Sequence, residues 1–463
     1  MCGVVGVYCS NPSITSKLVY YALFSLQHRG QESAGIAAST DKYLAYKKGM
    51  GLVTEVFDES DFSYLRGNVA VGHVRYSTTG LSKIETSQPF VVKSKAGYIA
   101  VCHNGNLVNY AELRRELENE GSVFTSDSDT EVISQLMSRF LMKKDTVESL
   151  EMLNRKLVGS YSLTMLINDT LIGYRDPLGF KPLCVGELED GYVICSESCA
   201  IDALGGKFIK DVEPGEAVII KNGELEFIDV SKPKRRAFCI FEYIYFARPD
   251  SVIDGVSVYE ARIEMGKILS VESPVTADFV SAVPDSGITA AIGFSQHSGI
   301  PYKEALIKNR YVGRTFIMPE QSLRELSVRL KVNVIKQNVA GKRIILVDDS
   351  IVRGTTSRRI VDMLRSCGAK EVHVRIGSPP IIAPCYFGID MKTREELIAA
   401  NNSVEEIRKL LNADSLAYLT LKGLLTAIKN AGGENGYCLA CLTARYPVEV
   451  PGEVCELESW EPD

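Results

Sequence analysis

The sequence predicts a mixed α/β protein in two parts, and three observations predict it. The first half alternates short apolar strands and Gly-rich turns with a few amphipathic helices. The second half carries continuous apolar strands, each followed by a polar loop and a helix-like segment, the pattern of a parallel sheet covered on both faces. Between them, at 229–236, the chain turns polar and basic (Ser231-Lys232-Pro233-Lys234-Arg235-Arg236), which places a boundary between 1–232 and 233–463.

Each element has its own signal. In the first half, 68–73, 97–103 and 158–167 read as strands, and 109–121 and 128–140 as helices. In the second of those helices Glu131, Val132, Leu136, Met137 and Phe140 recur at helical spacing, with 126–129 able to supply the cap. In the second half, 277–283 and 343–347 read as strands, 356–366 as a helix, and 393–412 and 415–431 as amphipathic helices. No internal repeat or low-complexity tract is visible.

At 463 residues, 45% hydrophobic and 24% charged, the chain has the composition of a soluble globular protein with room for two domains. A net charge of −6 leaves no electrostatic footprint for nucleic acid. No apolar run approaches the ~18 residues of a membrane span. The N-terminus lacks the pattern of a signal peptide, since Ser10-Asn11-Pro12 interrupts it at once. Twelve cysteines in such a chain read as reduced thiols, metal ligands or a cluster, and the cytoplasm is the expected compartment.

The chain begins Met1-Cys2-Gly3. Removal of Met1 would leave a thiol and a free α-amine on one residue. That amine has a pKa of about 8, so much of it is neutral and can act as base for its own side chain. A lone near-terminal cysteine is more often a small buried residue opening a strand, so Cys2 gains its meaning only from motifs elsewhere in the chain.

One run is decisive in the second half: Arg343-Ile344-Ile345-Leu346-Val347-Asp348-Asp349-Ser350-Ile351-Val352-Arg353-Gly354-Thr355-Thr356-Ser357. An apolar strand ends in two acids, and a loop of Gly and hydroxyl residues leads into a helix. Backbone N–H groups and hydroxyls there form an anion cradle, while adjacent carboxylates suit ribose hydroxyls or Mg²⁺. The run resembles the phosphoribosyl pyrophosphate (PRPP) signature of type I phosphoribosyltransferases, which implies PRPP contacts from Asp348, Asp349, Ser350, Arg353, Gly354, Thr355, Thr356 and Ser357. Val283-Pro284-Asp285-Ser286-Gly287 resembles the pyrophosphate-binding turn of that fold, with Asp285, Ser286 and Gly287 as contacts. Lys308 to Phe316, running on to Arg324 and Arg329, is similar to the mobile loop that closes over PRPP, with Lys308 and Arg314 reaching it.

The first half then becomes legible. Gln27-His28-Arg29-Gly30-Gln31-Glu32-Ser33, Gly72-His73-Val74-Arg75-Tyr76-Ser77-Thr78, Cys102-His103-Asn104-Gly105-Asn106 and Ser126-Asp127-Ser128-Asp129 follow Cys2 in order. Together they resemble the glutaminase domain of class II amidotransferases, an N-terminal nucleophile fold built as an αββα sandwich. The resemblance implies Cys2 as nucleophile with its own amine as base. Asn104 and Gly105 would form the oxyanion hole, and Arg29, Arg75 and Asp129 would bind glutamine. His28, His73 and His103 read as structural.

Both halves join in a resemblance to the glutamine PRPP amidotransferase family over nearly the whole chain. It implies transfer of ammonia from glutamine, through an internal channel, to C1 of PRPP. The products would be 5-phosphoribosylamine, glutamate and pyrophosphate, in the first committed step of purine synthesis. It also implies one Mg²⁺ near Ser286, Asp348 and Asp349, feedback by purine nucleotides, and a homotetramer. Tyr437-Cys438-Leu439-Ala440-Cys441 alone reads as a zinc half-site, a redox pair or two buried thiols. One branch of the family carries a [4Fe–4S] cluster, and its patterns resemble the segments around Cys239, Cys385, Cys438 and Cys441, which would then be the ligands. Members with a cluster often carry a short leader ahead of the nucleophile, where this sequence has only Met1. A PRPP-sensing regulator would need a DNA-binding segment that the first half does not offer. An amidotransferase with another acceptor would need a different second half.

Overall fold

The computed structural model describes residues 1–39, 43–76, 83–232, 235–309 and 332–455. Arg314, Arg324, Arg329, the motif residues Ser77 and Thr78, and the 232/233 boundary step fall wholly or partly outside them.

Two antiparallel sheets stack face to face in the first part. One contains β1 (Gly3–Cys9), β2 (Ser33–Ser39), β3 (Leu44–Met50), β4 (Val69–Arg75), β9 (Cys184–Leu188), β10 (Gly191–Cys195) and β11 (Lys207–Asp211), in the order β11-β9-β10-β1-β4-β2-β3. The other contains β5 (Phe90–Ser94), β6 (Gly97–Leu107), β7 (Gly159–Ile167), β8 (Thr170–Arg175), β12 (Glu216–Lys221) and β13 (Glu224–Asp229), in the order β13-β12-β8-β7-β6-β5. Val4, Ala37 and Val71 of the first sheet meet Ala100, Leu166, Leu171 and Val218 of the second in a dry interlayer. Helix Thr15–Ser25 covers the outer face of the first sheet. Helices Asp129–Leu141 and Thr146–Lys156 cover that of the second. Strands covered on both faces read as continuous apolar runs, as β1 does. The helix at 129 follows its sequence signal: Val132, Ile133, Leu136 and Met137 are buried, and the Ser128 hydroxyl accepts from the Thr130 N–H at 3.3 Å. The αββα sandwich is the one the motifs imply.

The second part centres on a parallel sheet with strands Phe279–Ala282, Arg343–Asp348, Glu371–Ile376 and Ser415–Tyr418 in that order. Successive residues of Arg343–Asp348 enter opposite cores. Ile345 and Val347 pack with helices Val258–Glu272 and Ile288–Ser298, and Ile344 and Leu346 with helix Thr355–Ser366. Two expected helices are corrected. The 415–431 segment opens as an edge strand, because Ser415–Tyr418 finds parallel partners in His373–Ile376, and only Leu421–Asn430 is helical, capped by Thr420. The 393–412 segment breaks into Ile398–Asn401 and Val404–Leu410, since Ser403 and Glu406 form a capping box that starts a new helix. Among the described residues, no helix is long and apolar enough to cross a membrane.

Candidate active site

Cys2 lies at the mouth of β1, where β4 pairs on one side and β10 on the other. Its backbone nitrogen, the atom that becomes the free amine when Met1 is removed, donates to Asn104 Oδ1 at 3.0 Å. Its thiol faces the Tyr76 carbonyl at 3.7 Å, just beyond the end of β4. Asn104 comes from β6 of the opposite sheet, so the sandwich itself brings Cys2 and the Asn104 amide together. With Oδ1 engaged, Asn104 Nδ2 is left as a buried donor without a hydrogen-bond partner among the described residues. A buried free N–H beside a nucleophile is what an oxyanion requires. Gly105 follows with φ 153°, and a Cβ there would come within 2.0 Å of the Ser160 carbonyl, so only glycine allows this backbone.

Arg29 departs from its expected role as a glutamine contact. Its guanidinium is fully buried, with Nε donating to the Cys2 carbonyl at 2.9 Å, Nη1 to Glu197 and Glu242, and Nη2 to Glu242 at 2.7 Å. Two carboxylates claim its donors because the site is dry; it positions Cys2 instead of facing solvent. Burial alone would lower the Arg29 pKa, but Glu242 and Glu197 raise it further than that. Glu197 is held well below the carboxylate range: burial opposes this, and His28, Arg29 and Ser251 prevail. Neither acid carries a signal in the sequence.

Arg75 ends β4, nearly buried, and its Nη1 donates to Glu32 at 3.2 Å. Asp129 opens its helix, and its Oδ2 accepts from the Leu107 N–H at 3.0 Å. The His103 ring lies 3.5 Å from Asp129 Oδ1 through Nδ1, and its Nε2 faces the Ser160 carbonyl at 3.1 Å. Burial would lower the His103 pKa, yet Asp129 raises it overall. Burial would raise Asp129, yet His103 and the N–H groups of Leu107 and Thr130 lower it. His73 behaves otherwise: burial pushes it down to about 3 and keeps it neutral. So His73 is a buried neutral ring, whereas His103 sits against Asp129.

The PRPP motif gathers at adjacent strand ends. Ala282 and Val347 are register partners, so the Pro284–Gly287 turn and the Asp348-Asp349 pair share one rim. The Pro284–Asp285 peptide is cis. Asp348 and Asp349 are both buried; burial first, then the neighbouring Asp349, pushes Asp348 well above the usual carboxylate range. Two buried acids that form no ion pair among the described residues fit a divalent ion that keeps substrate phosphates as its remaining ligands. Ser350 Oγ donates to Asp349 Oδ2 at 2.5 Å. Gly354 stands at φ 74° as the helix N-cap, Thr355 and Thr356 are exposed, and Ser357 is buried. Asp285 is exposed and paired with Lys308, and Arg353 is paired with Glu396.

Cys239, Cys385, Cys438 and Cys441 converge from three separated segments. Phe238–Cys239 and Tyr437–Cys438 form a two-residue parallel pair in which Cys239 and Cys438 are partners. The Cys441 carbonyl accepts from the N–H groups of Ile382 and Ala383, next to Cys385. Burial first, and then the neighbouring thiols, raises Cys441 and Cys438. Among the described residues no three His, Cys, Asp or Glu side chains close on a single ion. Cys239, Cys438 and Cys441 are buried and Cys385 is half-buried, so the donors gathered here are all thiols, the ligand type an iron–sulfur cluster takes.

A family model described as a glutamine amidotransferase domain matches residues 73–203. The amidophosphoribosyltransferase of Archaeoglobus fulgidus is 72% identical over 457 residues, covering 98% of this chain and 100% of its own. That of Methanocaldococcus jannaschii is 56% identical, covering 97% of this chain and 98% of its own. That of Bacillus subtilis is 49% identical, covering 97% and 94%. A solved structure described as the allosteric regulatory enzyme of purine biosynthesis superposes with a TM-score of 0.91 at 48% identity, over 97% of both chains. So does B. subtilis glutamine PRPP amidotransferase complexed with ADP and GMP, at TM-score 0.91, 48% identity and 98% and 99% coverage.

Proposed function

The chain belongs to the amidophosphoribosyltransferase family, and from that membership we propose how its residues divide the work. The enzyme transfers the amide nitrogen of glutamine to C1 of PRPP in purine biosynthesis. In our reading 1–232 is the glutaminase part and 233–463 the phosphoribosyltransferase part. With Met1 removed, the Cys2 amine takes the thiol proton and the thiolate attacks the glutamine amide. The developing oxyanion is met by Asn104 Nδ2 and the Gly105 N–H. Arg75 pairs with the substrate carboxylate and Asp129, held by His103, receives its ammonium. The adduct expels ammonia to leave a γ-glutamyl thioester, which water cleaves to glutamate. The ammonia displaces pyrophosphate from C1 of PRPP, whose phosphates lie on the Asp285–Gly287 turn and the Ser350–Ser357 cradle, with Lys308 and Arg314 as further contacts. Arg353 serves there only after leaving Glu396.

We place Mg²⁺ on Asp348, Asp349 and Ser286, where it would offset charge on the departing pyrophosphate. Cys239, Cys385, Cys438 and Cys441 would hold a [4Fe–4S] cluster that ties the C-terminal segment to the transferase core. Purine nucleotides as feedback ligands, a homotetramer and a cytoplasmic setting complete the proposal, the first supported by the nucleotides on the B. subtilis relative.

The observation that carries the glutaminase assignment is the Cys2–Asn104 bond, with its free Nδ2. The test supplies glutamine and PRPP together and measures glutamate and pyrophosphate, which should appear in equal amounts. Cys2→Ala should abolish glutamine use and leave synthesis from free ammonia largely intact. Loss of both would show that the two parts do not divide the chemistry in this way.

A further inference from the structure

Lys181 is fully buried, which is rare for lysine unless its charge is matched. Its backbone is pinned, since its carbonyl accepts from Ser162 Oγ at 3.0 Å and from Arg175 Nε at 2.8 Å. Its ammonium has one hydrogen bond among the described residues, to the Met1 thioether at 3.2 Å, and no carboxylate within ion-pair distance there. Glu242 is the nearby acid, but both its oxygens are taken by Arg29. Lys181 follows Phe180, whose carbonyl accepts from the Cys239 N–H at 3.0 Å and whose ring stacks at 4.4 Å on Phe387, two residues after Cys385. Met1, which the ammonium reaches, packs in one core with Cys239 and Cys441, so the cation and the cysteines share one buried region.

An isolated ammonium taken out of water is strongly disfavoured unless a negative charge faces it. Neutral thiols do not offset it, and thiolates do. The cost becomes sharper when Met1 is removed to free the Cys2 amine, because the one acceptor the ammonium has among the described residues leaves with it. We propose that Lys181 is the buried counter-cation of the four-cysteine site, compensating the thiolate charge of the bound iron–sulfur group. The inference rests on the cluster reading of those cysteines. It links the two parts of the chain: the cation stands between the N-terminus that carries the nucleophile and the cysteines of the second part.

The test uses full-length protein made and purified without oxygen, as wild type, Lys181→Met and Lys181→Arg. Iron and sulfide content, visible absorbance, midpoint potential and the rate of bleaching in air are measured. Removing a positive charge beside the cluster disfavours its reduction, so Lys181→Met should shift the potential lower and bleach faster, with Lys181→Arg close to wild type. Iron lost from Lys181→Met but retained by Lys181→Arg supports the same role. Unchanged potential and bleaching in iron-loaded Lys181→Met would overturn it, as would equal loss of iron from both variants, which marks packing instead of charge. A colourless wild type without iron would refute the cluster reading itself, an outcome separate from the others.

Discussion

Asn104 shows how one side chain serves two ends of a reaction. Its oxygen accepts from the Cys2 nitrogen, the proposed base, and its Nδ2, unpaired among the described residues, is the proposed oxyanion donor. Asn104→Asp keeps the acceptor and removes the donor, so glutamine-dependent turnover should fall by about 100-fold or more while ammonia-dependent turnover holds. His103 carries a pH signature. Its folded pKa lies above the usual 6.5, so its stabilising contribution is complete below about 6.5 and is lost as pH rises through the elevated value. Thermal unfolding of wild type against His103→Gln, from about pH 6 to about pH 9, should show the wild-type advantage shrinking as pH rises. A constant difference would mean that the charge on His103 contributes nothing. Cys2, Asn104, Arg75 and Asp129 stand out in the sequence as candidates, because each sits in a short motif. The contacts of Arg29 and His103 were not legible there, because their partners Glu197, Glu242 and Asp129 lie far along the chain and no spacing relates them.

At the scale of elements, strand–loop–helix signals were read well wherever local chemistry decides them. Arg343–Asp348 and Thr355–Ser366 lie within a residue of their expected bounds. Gly354 is the joint between them, at φ 74°, and a Cβ there would meet Ile398 Cδ1 at 2.6 Å. Gly354→Ala forces strain of about 1–3 kcal/mol into the cradle. The KM for PRPP should rise about tenfold, and labelling of Cys2 by a glutamine analogue without PRPP should stay unchanged. An unaltered KM would remove this loop from the phosphate site. The segment 415–431 was misread for a clear reason. Ser415–Tyr418 is too short to show strand periodicity, and its extended state comes from pairing with Glu371–Ile376.

Across the whole molecule, the two parts are joined by buried chemistry more than by a linker. Arg29 meets Glu242, Arg175 meets Asp254 at 2.8 Å, and the rings of Phe180 and Phe387 stack at 4.4 Å. Asn106 Nδ2 donates to the Tyr386 carbonyl and Ser160 Oγ to that of Phe387, both at 2.9 Å, which sets the segment after Cys385 directly on β6 and β7, beside Asn104. Breaking a buried pair by removing one partner costs about 3–5 kcal/mol. Glu242→Gln should therefore lower stability by an amount near the bottom of that range, since Glu197 still holds Arg29. Denaturant unfolding checks the loss. Glutamine-dependent synthesis should fall further than ammonia-dependent synthesis, and an equal fall would reduce Glu242 to a general structural role.

The sequence by itself determined the family, the two architectures in series and most of the elements, and it singled out Cys2 and the run after the acidic strand end as candidates. Those signals are local, carried by residue type, short spacing and periodicity. The tertiary structure alone decided which groups face one another. It turned Arg29 inward onto Cys2, gathered four cysteines from distant segments, and buried the Lys181 ammonium against the Met1 thioether. Burial sets the energy of each of those groups, and burial follows from how elements far apart in the chain pack together.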